Sequence, residues 1–186
     1  MSRRTIVIII VAVCTILIGG LVIGGFRIAS FLRDNETPAD VAHPIAVHRP
    51  AFSFEYPGNW TIDAADSDYD PDGLFSIESP GNCHIMVFVF DEELDPAHCV
   101  DLMVDKFKQK GMMKHAANDP MPRWGGHAGT GIRMKGNIIF SPGTIRIFSW
   151  CEGRRTFMIS EHAFDDDEPN VRPGFDLIER SFKTTP

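Results

Sequence analysis

Cys83-His84-Ile85-Met86-Val87-Phe88-Val89-Phe90 is the stretch that decides the fold. Successive side chains of a strand point to opposite faces, so Ile85, Val87 and Val89 share one face while Met86, Phe88 and Phe90 share the other. Both faces are apolar, which places the strand inside a sheet covered on both sides and requires helices on each face. Upstream, Leu74 to Glu78 and the turn Ser79-Pro80-Gly81-Asn82 make it the second strand of a hairpin. Downstream, Asp95 suits an N-cap and Pro96 a first helical position. Val100, Met103, Val104 and Phe107 then follow at i, i+3, i+4 and i+7. Lys108 and Lys110 sit near the negative end of this helix, and Gly111 stops it.

Working outward, Phe52, Phe54 and Tyr56 alternate with Ser53 and Glu55 as a half-buried strand. Pro57-Gly58-Asn59 turns the chain, Trp60 and Ile62 resume an apolar face, and an acidic loop runs from Asp63 to Gly73. Asn118 to Pro122 and Gly125-Gly126 read as loop. Strand-like stretches recur at 127–135, 137–140, 144–151 and 155–164, separated by Ser141-Pro142-Gly143 and Glu152-Gly153. That spacing predicts an antiparallel meander. A short helix beginning near Pro173 carries Phe175, Leu177, Ile178 and Phe182. Strands joined by short turns with cover on both faces give an α/β fold of the α+β type, an α/β/α sandwich over residues 51–186.

The 186 residues carry a formal charge of -7, a pI near 5.4, 44% apolar residues and a mean hydropathy of -0.07. Those averages hide a segregation. After a tail at residues 1–4, Thr5 to Phe26 is 22 residues without a charge. At about 1.5 Å per residue these span about 33 Å, the length of one membrane crossing. The segment is longer than the about 7 to 15 residues of a secretory signal's apolar core, and Arg27 follows it directly, so it reads as an uncleaved single-pass anchor. Arg3, Arg4 and the terminal amine face Arg27 and Arg33, a balance that leans towards an inside N-terminus and an extracytoplasmic domain. Gly20 and Gly24 form a GxxxG pair that permits weak dimerisation in the membrane. Residues 27–50, with Pro38, Pro44 and Pro50, read as a juxtamembrane linker. Residues 41–186 hold 14 basic against 22 acidic side chains, which argues against a nucleic-acid partner.

Asp68-Tyr69-Asp70-Pro71-Asp72-Gly73 matches the first half of a calcium loop, with alternating carboxylates and a turn glycine. The second half departs from the pattern, since Ser79 stands where a bidentate Glu is needed and Glu78 is one place early. Cys83, Cys99 and Cys151 allow one disulfide and one thiol outside the cytoplasm, or three buried small apolar residues. Cys83 and Cys151 can pair only if their strands are neighbours. Cys83-His84 and His98-Cys99 are adjacent residues and lack zinc-ligand spacing. No cysteine shows a nucleophile signature, and Cys99, beside His98 near a helix start, only suggests a lowered thiol pKa, so no catalytic residue is assigned. There is no GxSxG, HExxH or GxxxxGK[ST] motif. Gly125 to Gly131 reads as glycines entering a strand, Asp165 to Glu168 as a solvated loop, and Asn35 and Asn59 match the glycosylation triplet.

The opening Phe54-Glu55-Tyr56-Pro57 with Trp60, the Asp95-Pro96 helix after a strongly apolar strand, and the terminal Ile178-Glu179-Arg180-Ser181-Phe182-Lys183 together resemble the PsbP-like fold family over about residues 50–185. That family includes an extrinsic subunit of photosystem II and a Ran-GTPase-binding protein of nuclear import. The resemblance implies a compact binding or adaptor domain without a shared catalytic centre or cofactor. The expectation is a membrane-anchored, non-catalytic domain that binds a protein. A calcium or small-ligand module built on Asp68, Asp70 and Asp72 is the alternative, and a Cys/His hydrolase the third reading.

Overall fold

The computed structural model describes residues 36–138 and 141–185. The apolar segment Thr5 to Phe26 and its Gly20/Gly24 pair lie outside them, as does Asn35. Among the described residues no helix is long and apolar enough to cross a membrane. The elements are β1 (Ile45–His48), β2 (Phe52–Tyr56), β3 (Thr61–Ile62), β4 (Leu74–Glu78), β5 (His84–Phe90), α1 (Pro96–Gln109), β6 (Ala117–Trp124), β7 (His127–Ile138), β8 (Ser141–Glu152), β9 (Arg155–Phe164), α2 (Glu168–Ser181) and β10 (Lys183–Thr184).

Seven antiparallel strands form one sheet in the order β3-β4-β5-β9-β8-β7-β6, and β1-β2-β10 form a small second sheet. Pleating sorts the large sheet into two cores. On one face Met134, Ile145, Ile147 and Met158 pack with Cys99, Val100, Val104 and Phe107 of α1. On the other, Ile85, Val87, Phe148, Trp150 and Ile159 pack with Phe52 and Phe54 of β2 and with Val171, Phe175 and Ile178 of α2. Each such fully buried side chain contributes about 1.5–3 kcal/mol, so both helices are held mainly by their apolar stripes. Helix α1 starts as its sequence predicts: Asp95 Oδ1 accepts from Ala97 N at 3.0 Å, and Lys106 and Lys108 occupy the last turn.

Four sequence readings change in the fold. Residues 117–124, taken as loop because of Pro120 and Pro122, form β6. This strand pairs only with β7 at the sheet edge, where a missing N–H is tolerated, and the register shifts at Pro122. The two stretches split at Gly136 are one strand, β7, because Gly136 pairs with Gly143 and lies against Ala116. The final helix begins at Glu168 rather than near Pro173; Asn170 N and Val171 N already donate to Asp167 O, and Pro173 lies inside the helix. The linker over 27–50 is docked in its second half. β1 pairs with β2, Ala39 N donates to Asn170 O, and Asn59 clamps the segment by accepting from Asp40 N and donating to Pro38 O. The glycosylation triplet at Asn59 is thus a structural clamp.

Candidate binding site

Strand β9 is covered on both faces, and eight of its ten residues are buried. Glu161 lies among them at 2% exposure. A carboxylate there must be paired, because desolvating it alone costs several kcal/mol. Trp124 Nε1 donates to its Oε1 at 2.9 Å, and Arg146 Nη1 and Arg172 Nη1 donate to its Oε2 at 3.0 and 3.1 Å. Arg146 stands directly opposite Glu161 in the β8–β9 register and also reaches Glu179 Oε2 at 3.1 Å. Glu179 Oε1 in turn accepts from Gly125 N at 2.8 Å. Arg172 Nε donates to Glu168 Oε1 at 2.7 Å. Residues 168, 172 and 179 fall four and seven apart, so α2 brings Glu168, Arg172 and Glu179 to the sheet on one helical face. Burial alone would lower the Arg172 pKa, but Glu161 and Glu168 outweigh it and hold the guanidinium charged.

Above this network opens a cleft of about 510 Å³ lined by Arg133, Lys135, Thr144, Arg146, Asp165, Glu168 and Arg172. Its lining holds four cations and two carboxylates, while Glu161 and Glu179 behind it offset Arg146 and Arg172, so the outward positive charge is that of Arg133 and Lys135. Arg133 and Arg146 face each other across β7 and β8, a like-charge pairing that sheets disfavour. Arg146 is neutralised from behind by Glu161 and Glu179, whereas Arg133 is exposed and makes no ion pair among the described residues. Lys135 reaches Asp165 only at 3.8 Å with its side chain 66% exposed, a contact worth little. The cleft therefore offers two outward donors over a preorganised pair of arginines, an arrangement that suits carboxylates. A second groove of about 550 Å³ between β1 and α2 mixes Val41, His48, Glu55, Arg180 and Lys183 without such a network behind it.

None of the cleft residues is marked by a motif, although one signal is present. Glu161 is a carboxylate in a run of buried residues that is apolar or small apart from His162, and Arg146 sits between Ile145 and Ile147; charges at such positions demand partners. Asp165 and Glu168, read as solvated loop, line the cleft instead.

The other candidates fall elsewhere. Asp68, Asp70 and Asp72 are exposed and spend their carboxylates locally: Asp72 N donates to Asp70 Oδ1 at 3.0 Å, and Asp68 N to Asp66 Oδ1 at 3.0 Å. Among the described residues they do not converge as a ligand set. Cys83, Cys99 and Cys151 are free thiols. Cys83 and Cys151 cannot pair, because β9 separates β5 from β8. Burial raises the Cys99 pKa, opposite to what a nucleophile needs, and His98 points to solvent. Gly125 has φ +53 against the Glu179 carbonyl, and a Cβ on Gly131 would meet the Phe148 ring at 2.5 Å, so these glycines serve turning and close packing.

His162 and His84 pair across β9 and β5, with ring centroids 4.2 Å apart. His162 also bonds Ser160 at 2.9 Å and meets the Phe107 edge at 5.0 Å. Ser160 has no exposed surface and His162 is buried, whereas His84 is half-buried. Burial lowers His84 to about 4, and burial together with His84 lowers His162 well below its ordinary value. Both groups bind protons more weakly folded than unfolded. Their stabilising contribution is therefore complete above about pH 6.5 and is lost as the pH falls towards 4. His84 alone accounts for up to about 3 kcal/mol at 1.36 kcal/mol per pH unit. Urea unfolding at pH 7.5 and pH 4.5 should show this loss, and the doubly substituted His84→Gln, His162→Gln protein should show a markedly flatter pH dependence.

No family model matches this sequence, and no curated protein sequence does. The architecture is matched by solved structures. The solution structure of cyanobacterial PsbP (CyanoP) from Synechocystis aligns with 78% of this chain and 94% of its own, with a TM-score of 0.50 and 10% identity. The fold is PsbP-like. The Ran-binding protein Mog1p of Saccharomyces cerevisiae aligns over 76% of this chain and 95% of its own, at TM-score 0.49 and 11% identity. LpqN, involved in cell envelope biogenesis of Mycobacterium tuberculosis, aligns over 77% and 91%, at TM-score 0.47 and 14% identity. At such identities the likeness is one of fold alone, so the chemistry of this PsbP-like domain rests on its own residues.

Proposed function

We propose that this chain is a single-pass membrane protein whose PsbP-like domain, held outside the cytoplasm, binds an acidic segment of a protein partner without catalysis. The observation that carries the reading is the basic cleft, in which Arg133 and Lys135 stand over Arg146 and Arg172. The Glu161 network fixes the two inner guanidiniums in advance, so little rotamer freedom is lost on binding. The Thr5 to Phe26 segment supplies the anchor, and residues of the 36–50 segment dock on the domain through Asn59, Asn170 and β2. The fold, which Mog1p, described as Ran-binding, also adopts, is compatible with an adaptor role.

Binding of a glutamate-rich dodecapeptide to the full chain in lipid nanodiscs tests the site. Affinity should fall steeply with added salt and drop at least about tenfold in the Arg133→Glu, Lys135→Glu protein. Equal affinity in both proteins would refute the site. A reporter fused to the C-terminus and active only outside the cytoplasm tests the topology; activity of a cytoplasmic reporter instead would remove the extracytoplasmic reading.

A further inference from the structure

At the N-terminal end of α2, on the margin of the aromatic core to which Cys83 belongs, three anionic or potentially anionic groups meet from distant parts of the sequence. They are the Glu36 carboxylate from the segment before β1, the Cys83 thiol at the start of β5 and the Asp167 carboxylate at the start of α2. One ligand atom from each lies within 4.8 Å of the other two. Cys83 Sγ stands 4.0 Å from Asp167 Oδ2. Glu36 is 8% exposed and Cys83 is 1% exposed.

The hydrogen bonding of these groups is incomplete in one direction. Glu36 Oε2 is satisfied, accepting from Ser79 Oγ at 2.5 Å and from Gly81 N at 3.1 Å. Among the described residues Glu36 Oε1 is buried and has no hydrogen-bond partner. Asp167 occupies the N-cap position of α2, where a carboxylate ordinarily accepts from the first turn, yet its side chain makes no capping bond. Glu168 beside it bonds Arg172 through Oε1 while its buried Oε2 has no partner. Leaving a buried carboxylate oxygen without a donor is unfavourable and uncommon, and a bound cation is one arrangement that accounts for it. Arg172, the cation beside Glu168, is already committed to Glu161 and Glu168.

We propose that Glu36, Cys83 and Asp167 bind one divalent transition-metal ion of the zinc class. Bonds of about 2.0–2.2 Å to carboxylate oxygen and about 2.3 Å to thiolate sulfur at a tetrahedral angle put the two ligand atoms about 3.6 Å apart, so the 4.0 Å Cys83–Asp167 separation needs to close by only about 0.4 Å. A sulfur ligand selects zinc-like ions over calcium and magnesium. Two carboxylates and a thiolate supply three negative charges to a dication, and three protein ligands leave a fourth position open. The thiol proton leaves to solvent when the sulfur binds the ion. Because Glu36 precedes β1 whereas the other two ligands belong to the core, the ion would staple the membrane-proximal segment to the domain.

The test uses the full chain in detergent, free of any histidine tag, titrated with Co(II) and then with Zn(II). One equivalent of Co(II) per chain should bind with a thiolate-to-cobalt charge-transfer band, and Zn(II) should displace it. Cys83→Ser should abolish the band, while Cys151→Ser should leave it intact. Glu36→Gln keeps an acceptor for Ser79 and Gly81 and so preserves the local fold; with Asp167→Asn it should weaken binding more than about tenfold each. No stoichiometric binding by the wild-type chain overturns the proposal. So does a band that survives Cys83→Ser, binding unchanged in folded Glu36→Gln, or binding of calcium alone without a sulfur band.

Discussion

Glu161→Ala should lower the unfolding free energy by about 3–5 kcal/mol, the cost of removing one partner from a buried charge network. The substitution strips the Arg146 and Arg172 guanidiniums of their shared acceptor and leaves the Trp124 indole N–H without a partner at 1% residue exposure. Glu168 and Glu179 still hold one nitrogen of each arginine, which places the loss below complete collapse. Replacing one cation by an apolar residue of similar length, Arg146→Met, should cost less, because Arg172 still pairs with Glu161 and Trp124 Nε1 still donates to it. Denaturant unfolding of the three proteins at pH 7.5 checks the order. Equal stability of Glu161→Ala and wild type would mean that the carboxylate is no hub. The same substitution should also abolish acidic-peptide binding through misplaced arginines, even where the protein remains folded.

Phe182→Ala should be of similar size, about 3–5 kcal/mol. Phe182 is 4% exposed and stacks on Phe52 and Phe54 at centroid distances of 5.7 and 5.6 Å. It meets Trp124 and Trp150 edge-on at 5.5 and 5.7 Å. It is also the last residue before β10, whose pairing with β2 closes the small sheet. Truncation leaves a cavity between α2 and both sheets and frees the chain end that β10 holds. Phe182→Leu retains most of the volume and should cost less than about 1.5 kcal/mol. Thermal unfolding of the pair separates packing from chain-end effects: if both variants melt alike, the aromatic stack is not what fastens β10.

Much of this architecture is readable from local pattern, because the relevant physics is local. The two apolar faces of β5 force cover on both sides, and Asp95-Pro96 with the stripe from Val100 to Phe107 places α1. Where tertiary pairing overrules local chemistry the reading fails. Pro120 and Pro122 spell a loop, yet β6 tolerates them at an edge. Pro173 suits a helix start, yet the core stripe from Val171 to Ile178 extends the helix back to Glu168. The cleft was hidden for a related reason. Glu161 finds Arg146 fifteen residues away, Trp124 thirty-seven away, and Arg146 finds Glu179 thirty-three away. Such pairs follow from strand register and helix docking rather than from spacing, so no motif announces them. What the chain does announce is the isolated charge within a doubly covered strand. The Glu36, Cys83 and Asp167 grouping is non-local in the same way, and Glu36 falls in a segment whose prolines suggest a free tether.

The central claim, that Arg133 and its neighbours form the partner-binding face, is tested most directly by placing a photo-crosslinking residue at position 133 in the full chain in its native cells, and in a second protein at exposed Leu102 on the outer face of α1. The account predicts a discrete, salt-sensitive adduct from position 133 that maps to an aspartate- and glutamate-rich segment of another protein and is absent from position 102. Adducts from position 102 with none from position 133, or position-133 adducts that map to basic or apolar segments, would contradict it.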